Sequence, residues 1–112
     1  FSTYSAYYNT EELWFPEWDM GGTPYENPRN FERWSPDRFV HNWKTPMLVI
    51  HGANDYRVVD TEGLSTFTAL KRRGVPARLI YFPDENHWVL RPLNSKRWHD
   101  EVYMWLAEWT GK

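Results

Sequence analysis

Pro46-Met47-Leu48-Val49-Ile50-His51, followed by Gly52-Ala53-Asn54-Asp55, is the clearest indication of the fold in this sequence. The first six residues form a nearly continuous apolar run without alternation of apolar and polar side chains. This pattern is typical of a strand that is buried on both faces, as in a parallel sheet covered by helices. The last four residues carry a turn signal. The stretch therefore predicts a buried parallel strand at 46–51 that ends in a polar loop.

The residues after this loop predict a helix and a second strand. A helix is expected over about 61–73, with Gly74 as its left-handed C-terminal cap. Its inner side is predicted to carry three apolar residues, Leu64, Phe67 and Leu70. Residues 77–82 read as the next strand. A strand, a helix and a strand joined by short links make a βαβ unit, so the two strands are predicted to be parallel.

A last helix is predicted over about 95–109, with Ser95 as its N-terminal cap. Its apolar residues are spaced for a single stripe, which we expect to lie in the core: Trp98, Val102, Trp105, Leu106 and Trp109. The chain is therefore predicted to have an α/β fold.

The first third of the chain is aromatic and irregular. Thr10 is expected to cap a short helix that runs through Leu13 and Trp14. Pro28 is expected to open another short helix, with Phe31 and Trp34 on one side.

Composition excludes several classes of protein. The 112 residues carry a net charge of −2, and 19% of them are aromatic. There is no basic nucleic-acid surface, no apolar run long enough to cross a bilayer, and no Cys. So many aromatic rings require burial, which a chain this short provides only in part. The first residue is Phe and no signal peptide follows, so we expect the chain to begin inside a longer gene product or to have been trimmed.

Polar residues follow both predicted strands. Asp55 lies in the first loop, and the second loop holds Asp84, Glu85, Asn86 and His87. Sites in parallel α/β sheets form beyond the carboxyl ends of the strands, so Asp55 and His87 are expected to be partners if the strands are neighbours. A carboxylate that accepts the Nδ1–H of a histidine is the arrangement used in serine hydrolases, whose chain order is Ser, acid, His. No G-x-S-x-G elbow occurs in the chain.

Other interpretations of these residues remain open at this point. An aspartate after Gly-Ala-Asn is ordinary in a turn, and a single loop histidine is often structural. We expect His51 to be a buried, hydrogen-bonded histidine. His41 and His99 have no partner pattern, and four scattered histidines without H-E-x-x-H do not predict a metal site.

A resemblance to a known family narrows these alternatives. The segment 51–58, His-Gly-Ala-Asn-Asp-Tyr-Arg-Val, resembles the H-G-x-x-D-x-x-V segment of prolyl oligopeptidase family serine peptidases. The segment 81–87, Tyr-Phe-Pro-Asp-Glu-Asn-His, resembles the histidine loop of that family. Residues 10–18 and 34–36 are similar to the bacterial dipeptidyl peptidase and acylaminoacyl peptidase branch. The resemblance implies an α/β-hydrolase fold, of which residues 1–112 would form the C-terminal part.

The resemblance also implies roles for individual residues. Asp55 would be the triad acid and His87 the general base, and no metal or organic cofactor would be required. Arg57 and Val58 would lie near the substrate. Tyr4, Tyr7 and, more weakly, Trp14 are candidates for an aromatic wall of the pocket that holds the substrate residue before the scissile bond. The substrate would be a short peptide.

Three interpretations of the chain follow. In the first, it is one chain of a nicked enzyme whose partner chain supplies the serine. In the second, it is a self-associating proteolytic fragment that is inactive because the nucleophile elbow is absent, as is the propeller that screens substrates in this family. In the third, it is a non-catalytic interaction module. An esterase on the same fold is the alternative enzyme. The expected partners are the remainder of the catalytic domain or further copies of the chain, with neither nucleic acid nor membrane. The compartment stays open between periplasmic or secreted and cytoplasmic.

Overall fold

The computed structural model describes residues 1–111. In chain order its elements are α1 Thr3–Tyr8, α2 Trp14–Met20, α3 Pro28–Arg33, a 3-10 helix Pro36–Asn42, β1 Met47–Gly52, α4 Thr61–Arg72, β2 Ala77–Phe82 and α5 Pro92–Thr110. No helix among these residues is both long and apolar enough to cross a membrane.

The two strands form a parallel sheet, as the βαβ pattern predicts. The register pairs Met47 with Ala77 at one end and Gly52 with Phe82 at the other. β2 matches the predicted range of 77–82, and β1 lies one residue later than the predicted 46–51. Because the strands are parallel and end in register, the loops that follow them emerge at the same edge of the sheet.

The core lies between α4 and the sheet. Val49, Leu70 and Val75 are buried there, with half-buried side chains packed around them: Trp43, Met47, Phe67, Ala77 and Leu79. The prediction that Leu64 faces inward is wrong, because its side chain is 39% exposed. The prediction that β1 is buried on both faces is also too strong. Four of its six residues are only half-buried, since the sheet has two strands within residues 1–111.

The last helix begins earlier than predicted. It begins at Pro92, with Arg91 at the cap position, so Ser95 lies inside the first turns and is not the cap. Proline is preorganised for the first helical position, and the side chain of Glu85 accepts the N–H of Arg91. These two features take the place of the predicted serine cap. The helix ends at Thr110, with Gly111 in the left-handed conformation.

The aromatic stripe of α5 is not all core, contrary to the prediction. Trp105 is buried, but Leu106 is 51% and Trp109 is 44% exposed. A helix beside a two-stranded sheet has too little surface to pack against, so two of the five stripe residues remain exposed within the described residues.

The first third of the chain is more helical than predicted. α1 was not predicted, and α2 begins at Trp14, near where the Thr10-capped helix was expected to end. The Thr10 hydroxyl does accept the N–H of Glu12. On α3, Phe31 is 2% exposed but Trp34 is 62% exposed, so the two residues do not share a buried side.

Candidate active site

The Asp55 carboxylate is buried and uses its two oxygens for different purposes. Its Oδ1 accepts the backbone N–H groups of Arg57 at 3.0 Å and Val58 at 2.8 Å, which closes the turn after β1. Its Oδ2 lies 2.9 Å from Nδ1 of His87. The side chain of Asp55 is 6% exposed. The turn therefore directs one carboxylate oxygen at residues 83–91, the loop that carries His87 and is called the histidine loop below.

His87 is held at one ring nitrogen only. An ionised carboxylate can only accept a hydrogen bond, so the Nδ1 nitrogen that faces Asp55 carries the proton. Among the hydrogen bonds of the described residues, none involves the Nε2 nitrogen of His87. The ring is 38% exposed. This geometry leaves Nε2 as a free acceptor at the surface, which is the arrangement that a general base requires.

His51 lies beside this pair and is hydrogen-bonded, as predicted, with its side chain 10% exposed and so slightly less buried than predicted. Its Nε2 lies 2.8 Å from the carbonyl oxygen of Val58 and 3.5 Å from Oδ2 of Asp55. Since a carbonyl only accepts, the N–H of His51 is directed at Val58. The ring also packs on α4, where a Cβ at Gly63 would lie 2.7 Å from its Nδ1. His51 thus supports the turn that contains Asp55.

The two loops cross in close contact at Gly52. A Cβ on this residue would lie 2.2 Å from the carbonyl oxygen of Asn86 and 2.6 Å from that of Glu85. The N–H of Asn54 donates to the carbonyl of Glu85 at 2.9 Å. The backbone of the histidine loop therefore rests directly on the end of β1, and only glycine leaves room for it.

Glu85 is a second buried carboxylate, 4% exposed, two residues before His87. It accepts the N–H groups of Leu90 and Arg91, each at 3.0 Å, and the side-chain amide of Asn94 at 2.9 Å. Burial raises the pKa of Glu85. The three hydrogen bonds and the positive charge of Arg91 outweigh this, so its pKa lies below the ordinary value.

A cleft of about 480 Å³ opens beside His87. Arg57 lines it from residues 53–60, the loop that carries Asp55 and is called the acid loop below, and Trp88 lines it from the histidine loop. Glu11 and Glu12 line it from the segment before α2. The Nε of Arg57 lies 2.9 Å from Oε2 of Glu12. This oxygen is buried, and no donor in residues 1–111 is aligned on it as a hydrogen bond. The contact is therefore an ion pair that holds the arginine at the cleft.

A second hollow of about 240 Å³ also opens at the pair. Val58 lines it together with Asp55, His87 and Trp98. Both predicted substrate-contacting residues of the acid loop, Arg57 and Val58, are therefore next to the histidine, one in each opening.

The aromatic wall candidates lie elsewhere. Tyr4 lines a hollow formed with α3, and its hydroxyl lies 3.4 Å from that of Tyr25. Tyr7 and Trp14 both pack edge-on against Phe15. None of the three lines these two openings or the third hollow at His87, which measures about 440 Å³ and lies beside Trp88 and Trp98, as far as residues 1–111 describe them. Their role in substrate binding stays a prediction.

Two side chains of the site were not singled out from the sequence. The burial of Glu85 had a signal, because Pro92 is a favoured first residue of a helix and the N–H groups around a helix start need acceptors. The pairing of Glu12 with Arg57 had none, since the two are 45 residues apart and belong to segments without regular spacing.

The chain is similar to curated peptidases along nearly its whole length. Dipeptidyl-peptidase 5 of Schizosaccharomyces pombe is 52% identical over 110 residues, which is 98% of this chain. Dipeptidyl-peptidase 5 of Porphyromonas endodontalis is 44% identical over 117 residues and covers 100% of the chain. The chain spans 16% and 17% of the lengths of these relatives.

Among solved structures, the acylaminoacyl peptidase of Pyrococcus horikoshii superposes with a TM-score of 0.79 at 27% identity. The superposition covers 96% of this chain and 18% of that protein, and the shared α/β-hydrolase fold confirms the predicted fold class. The sequence profile of the prolyl oligopeptidase family matches residues 1–112. This chain therefore belongs to the prolyl oligopeptidase family.

Proposed function

We propose that this chain supplies the acid and the general base of a serine peptidase, and that the nucleophilic serine comes from the remainder of the catalytic domain. The protein that contains both parts is called the parent peptidase below. The supporting observation is the 2.9 Å contact between Oδ2 of Asp55 and Nδ1 of His87, with Nε2 of the ring left free. Membership of the family and the absence of a G-x-S-x-G elbow in these 112 residues agree with this division.

The pair acts by moving one proton. His87 Nε2 takes the proton of the serine hydroxyl as the serine oxygen bonds to the scissile carbonyl carbon. His87 then gives that proton to the leaving amine as the C–N bond breaks, and an acyl-enzyme results. In the second half, His87 activates a water molecule that releases the acid product. Asp55 holds the Nδ1–H tautomer and stabilises the imidazolium in both halves.

We propose short peptides as substrates, cleaved by an exopeptidase of the dipeptidyl or acylaminoacyl type. The names of the relatives support this class, and the cleft at His87 supports a bound peptide chain. Arg57 offers that cleft a fixed cation, whose guanidinium can donate to a peptide carbonyl. Val58 offers an apolar contact in the second hollow at the ring.

For the isolated chain we propose no peptidase activity and self-association. Without the serine no acyl-enzyme can form. Large apolar side chains stand at the surface, with exposures of 77% for Trp14, 85% for Trp18 and 83% for Leu93. Such surface favours coverage by other protein. Sizing with light scattering should show a dimer or larger species, and a soluble monomer would contradict this part of the proposal.

The experiment that tests the function is a substrate panel on the parent peptidase and its His87→Ala variant. The panel contains a dipeptide amide, an N-acyl amino acid amide and the ester of the same acyl group. We expect cleavage of the amides and a loss of roughly 10⁶-fold in turnover for the variant. Cleavage of the ester alone would favour an esterase. An active parent that keeps its rate after His87→Ala would overturn the proposal.

A further inference from the structure

We propose that Glu85 is a positioning residue, which holds the ring of His87 in register with Asp55. The proposal rests on the proposed function for its catalytic readout. Glu85 does not touch the ring. It ties the loop that carries His87 to the start of α5, through contacts that occupy both oxygens of its carboxylate.

The Glu85 side chain closes the loop that carries His87. Oε2 of Glu85 accepts the N–H of Leu90, and Oε1 accepts the N–H of Arg91 and the amide of Asn94. These donors lie five, six and nine residues further along the chain. His87 thus sits inside a short segment whose two ends are joined by hydrogen bonds, although the ring itself is 38% exposed.

The main chain at Glu85 anchors that closed segment to the acid loop. The carbonyl of Glu85 accepts the N–H of Asn54, which immediately precedes Asp55. The backbone at Glu85 and Asn86 rests on Gly52. Glu85 therefore joins three elements: the end of β1 through its main chain, the start of α5 through its side chain, and His87 through the two intervening peptide bonds.

Only a carboxylate at position 85 can accept from all three donors. All three donors are N–H groups, and a carboxylate offers two oxygens with room for each of them. Glutamine has one oxygen, so its NH₂ group would face at least one of the N–H donors. These hydrogen bonds are partly buried, so an N–H that loses its acceptor there is costly, and the segment would shift to expose it. A displacement of about 1 Å in a catalytic group is enough to cost roughly 10²-fold in rate.

The chain provides a matched control at Glu101. This carboxylate is 3% exposed, close to the 4% of Glu85. It accepts from Arg78 at 3.0 Å and contacts Arg97 at 2.5 Å, where α5 meets β2. The Glu101→Gln variant therefore also weakens a buried acidic group, in a place that has no contact with either loop of the site.

The test compares Glu85→Gln and Glu101→Gln in the parent peptidase. For Glu85→Gln we expect kcat to fall by roughly 10²-fold while KM stays within about twofold. For Glu101→Gln we expect a loss of stability in denaturant unfolding with kcat unchanged. A Glu85→Gln enzyme with wild-type kcat would overturn the proposal, as would equal losses of kcat in the two variants.

A second readout needs no activity. In the 112-residue chain labelled with ¹⁵N-histidine, the Nδ1–H of His87 should be protected from exchange by Asp55. We expect this protection to persist in Glu101→Gln and to be lost in Glu85→Gln. Unchanged protection in Glu85→Gln would contradict the proposal. If Glu85→Gln does not fold, Asn94→Ala removes one of the three donors to Glu85, together with a hydrogen bond to Asp84, and should weaken the protection in part. Unchanged protection in Asn94→Ala would then contradict the proposal. A parent that is inactive in the wild type would overturn the proposed function, while this measurement would still decide the role of Glu85.

Discussion

The acid loop, 53–60, and the histidine loop, 83–91, are built on the same device. In each, a buried carboxylate accepts the N–H groups of two consecutive residues further along. Asp55 accepts from Arg57 and Val58, and the longer Glu85 accepts from Leu90 and Arg91. The reach of the side chain sets the size of the loop, because an extra methylene spans five or six residues where aspartate spans two or three.

The loops differ in how they divide the work. Asp55 closes its own loop with one oxygen and contacts His87 with the other. In the histidine loop one residue closes the loop and another is presented for chemistry. A substitution at Asp55 therefore affects both loop closure and the contact with His87. In the histidine loop, a substitution at Glu85 alters loop closure and one at His87 alters the catalytic group, so the two can be changed separately.

The largest effect on stability is expected when a substitution at Asp55 removes both of its roles, closing the acid loop and contacting His87. Asp55→Ala leaves the N–H groups of Arg57 and Val58 without their acceptor, whereas Asp55→Asn keeps a carbonyl oxygen for them. We expect Asp55→Ala to be less stable than Asp55→Asn by about 3 kcal/mol, because each buried donor left unpaired costs about 1–3 kcal/mol. Urea unfolding measures the difference. Equal stabilities would show that the carboxylate does not close the loop.

The next effect concerns the place where the two loops touch. Gly52→Ala puts a methyl group 2.2 Å from the carbonyl oxygen of Asn86, so the backbone must move. We expect a loss of about 1–3 kcal/mol in the free energy of unfolding and a fall in kcat. Gly74→Ala is the control, because its backbone has a φ of 71° and a Cβ there meets nothing within 4 Å. It should cost stability through backbone strain and leave kcat unchanged. A fully active and stable Gly52→Ala variant would mean that the loops do not need this contact.

A smaller effect is expected for the side chain that the acid loop sends into the cleft. Arg57→Ala should raise KM for a peptide about tenfold, or about 1.4 kcal/mol, with little change in kcat, because the guanidinium binds substrate and moves no proton. Arg29→Ala, on the exposed side of α3, is the matched control. A fall in kcat at constant KM would instead place Arg57 in the chemical step.

The smallest effect is a pH dependence that belongs to the histidine loop. The pKa of Glu85 lies below its ordinary value of 4.5, so the folded state prefers the ionised form. Its contribution to stability is present above that value and is lost as the pH falls through the lower, folded pKa. The difference in unfolding free energy between wild type and Glu85→Gln should therefore shrink from pH 6 to pH 3. A difference that stays constant would contradict this.

The sequence predicted the framework of the site because that framework follows from local patterns. The apolar run at 46–51, the helix that follows and the second strand together indicate parallel strands, and parallel strands place Asp55 and His87 at one edge. The structure has this arrangement. The pairing needed only element types and their order, both of which short-range periodicity reports well.

Other features depend on contacts that no local pattern encodes. The start of α5 was misplaced because Ser95 is a good cap residue in sequence, while the observed acceptor, Glu85, belongs to a different loop. Trp109 and Leu106 were expected in the core because periodicity indicates which face of a helix is apolar. It does not indicate whether anything covers that face. The proximity of Glu12 to Arg57 depends on how the first third of the chain lies against the acid loop.

Whether Asp55 acts in catalysis is decided by the turnover of Asp55→Asn in the parent peptidase, with folding checked by denaturant unfolding. Asparagine keeps the acceptor for the loop but cannot hold the Nδ1–H tautomer of His87 as a charged carboxylate does. We expect a loss of roughly 10⁴-fold in kcat with the fold intact. A folded Asp55→Asn variant with a near-wild-type rate would remove Asp55 from the mechanism and leave its contact with His87 a structural one.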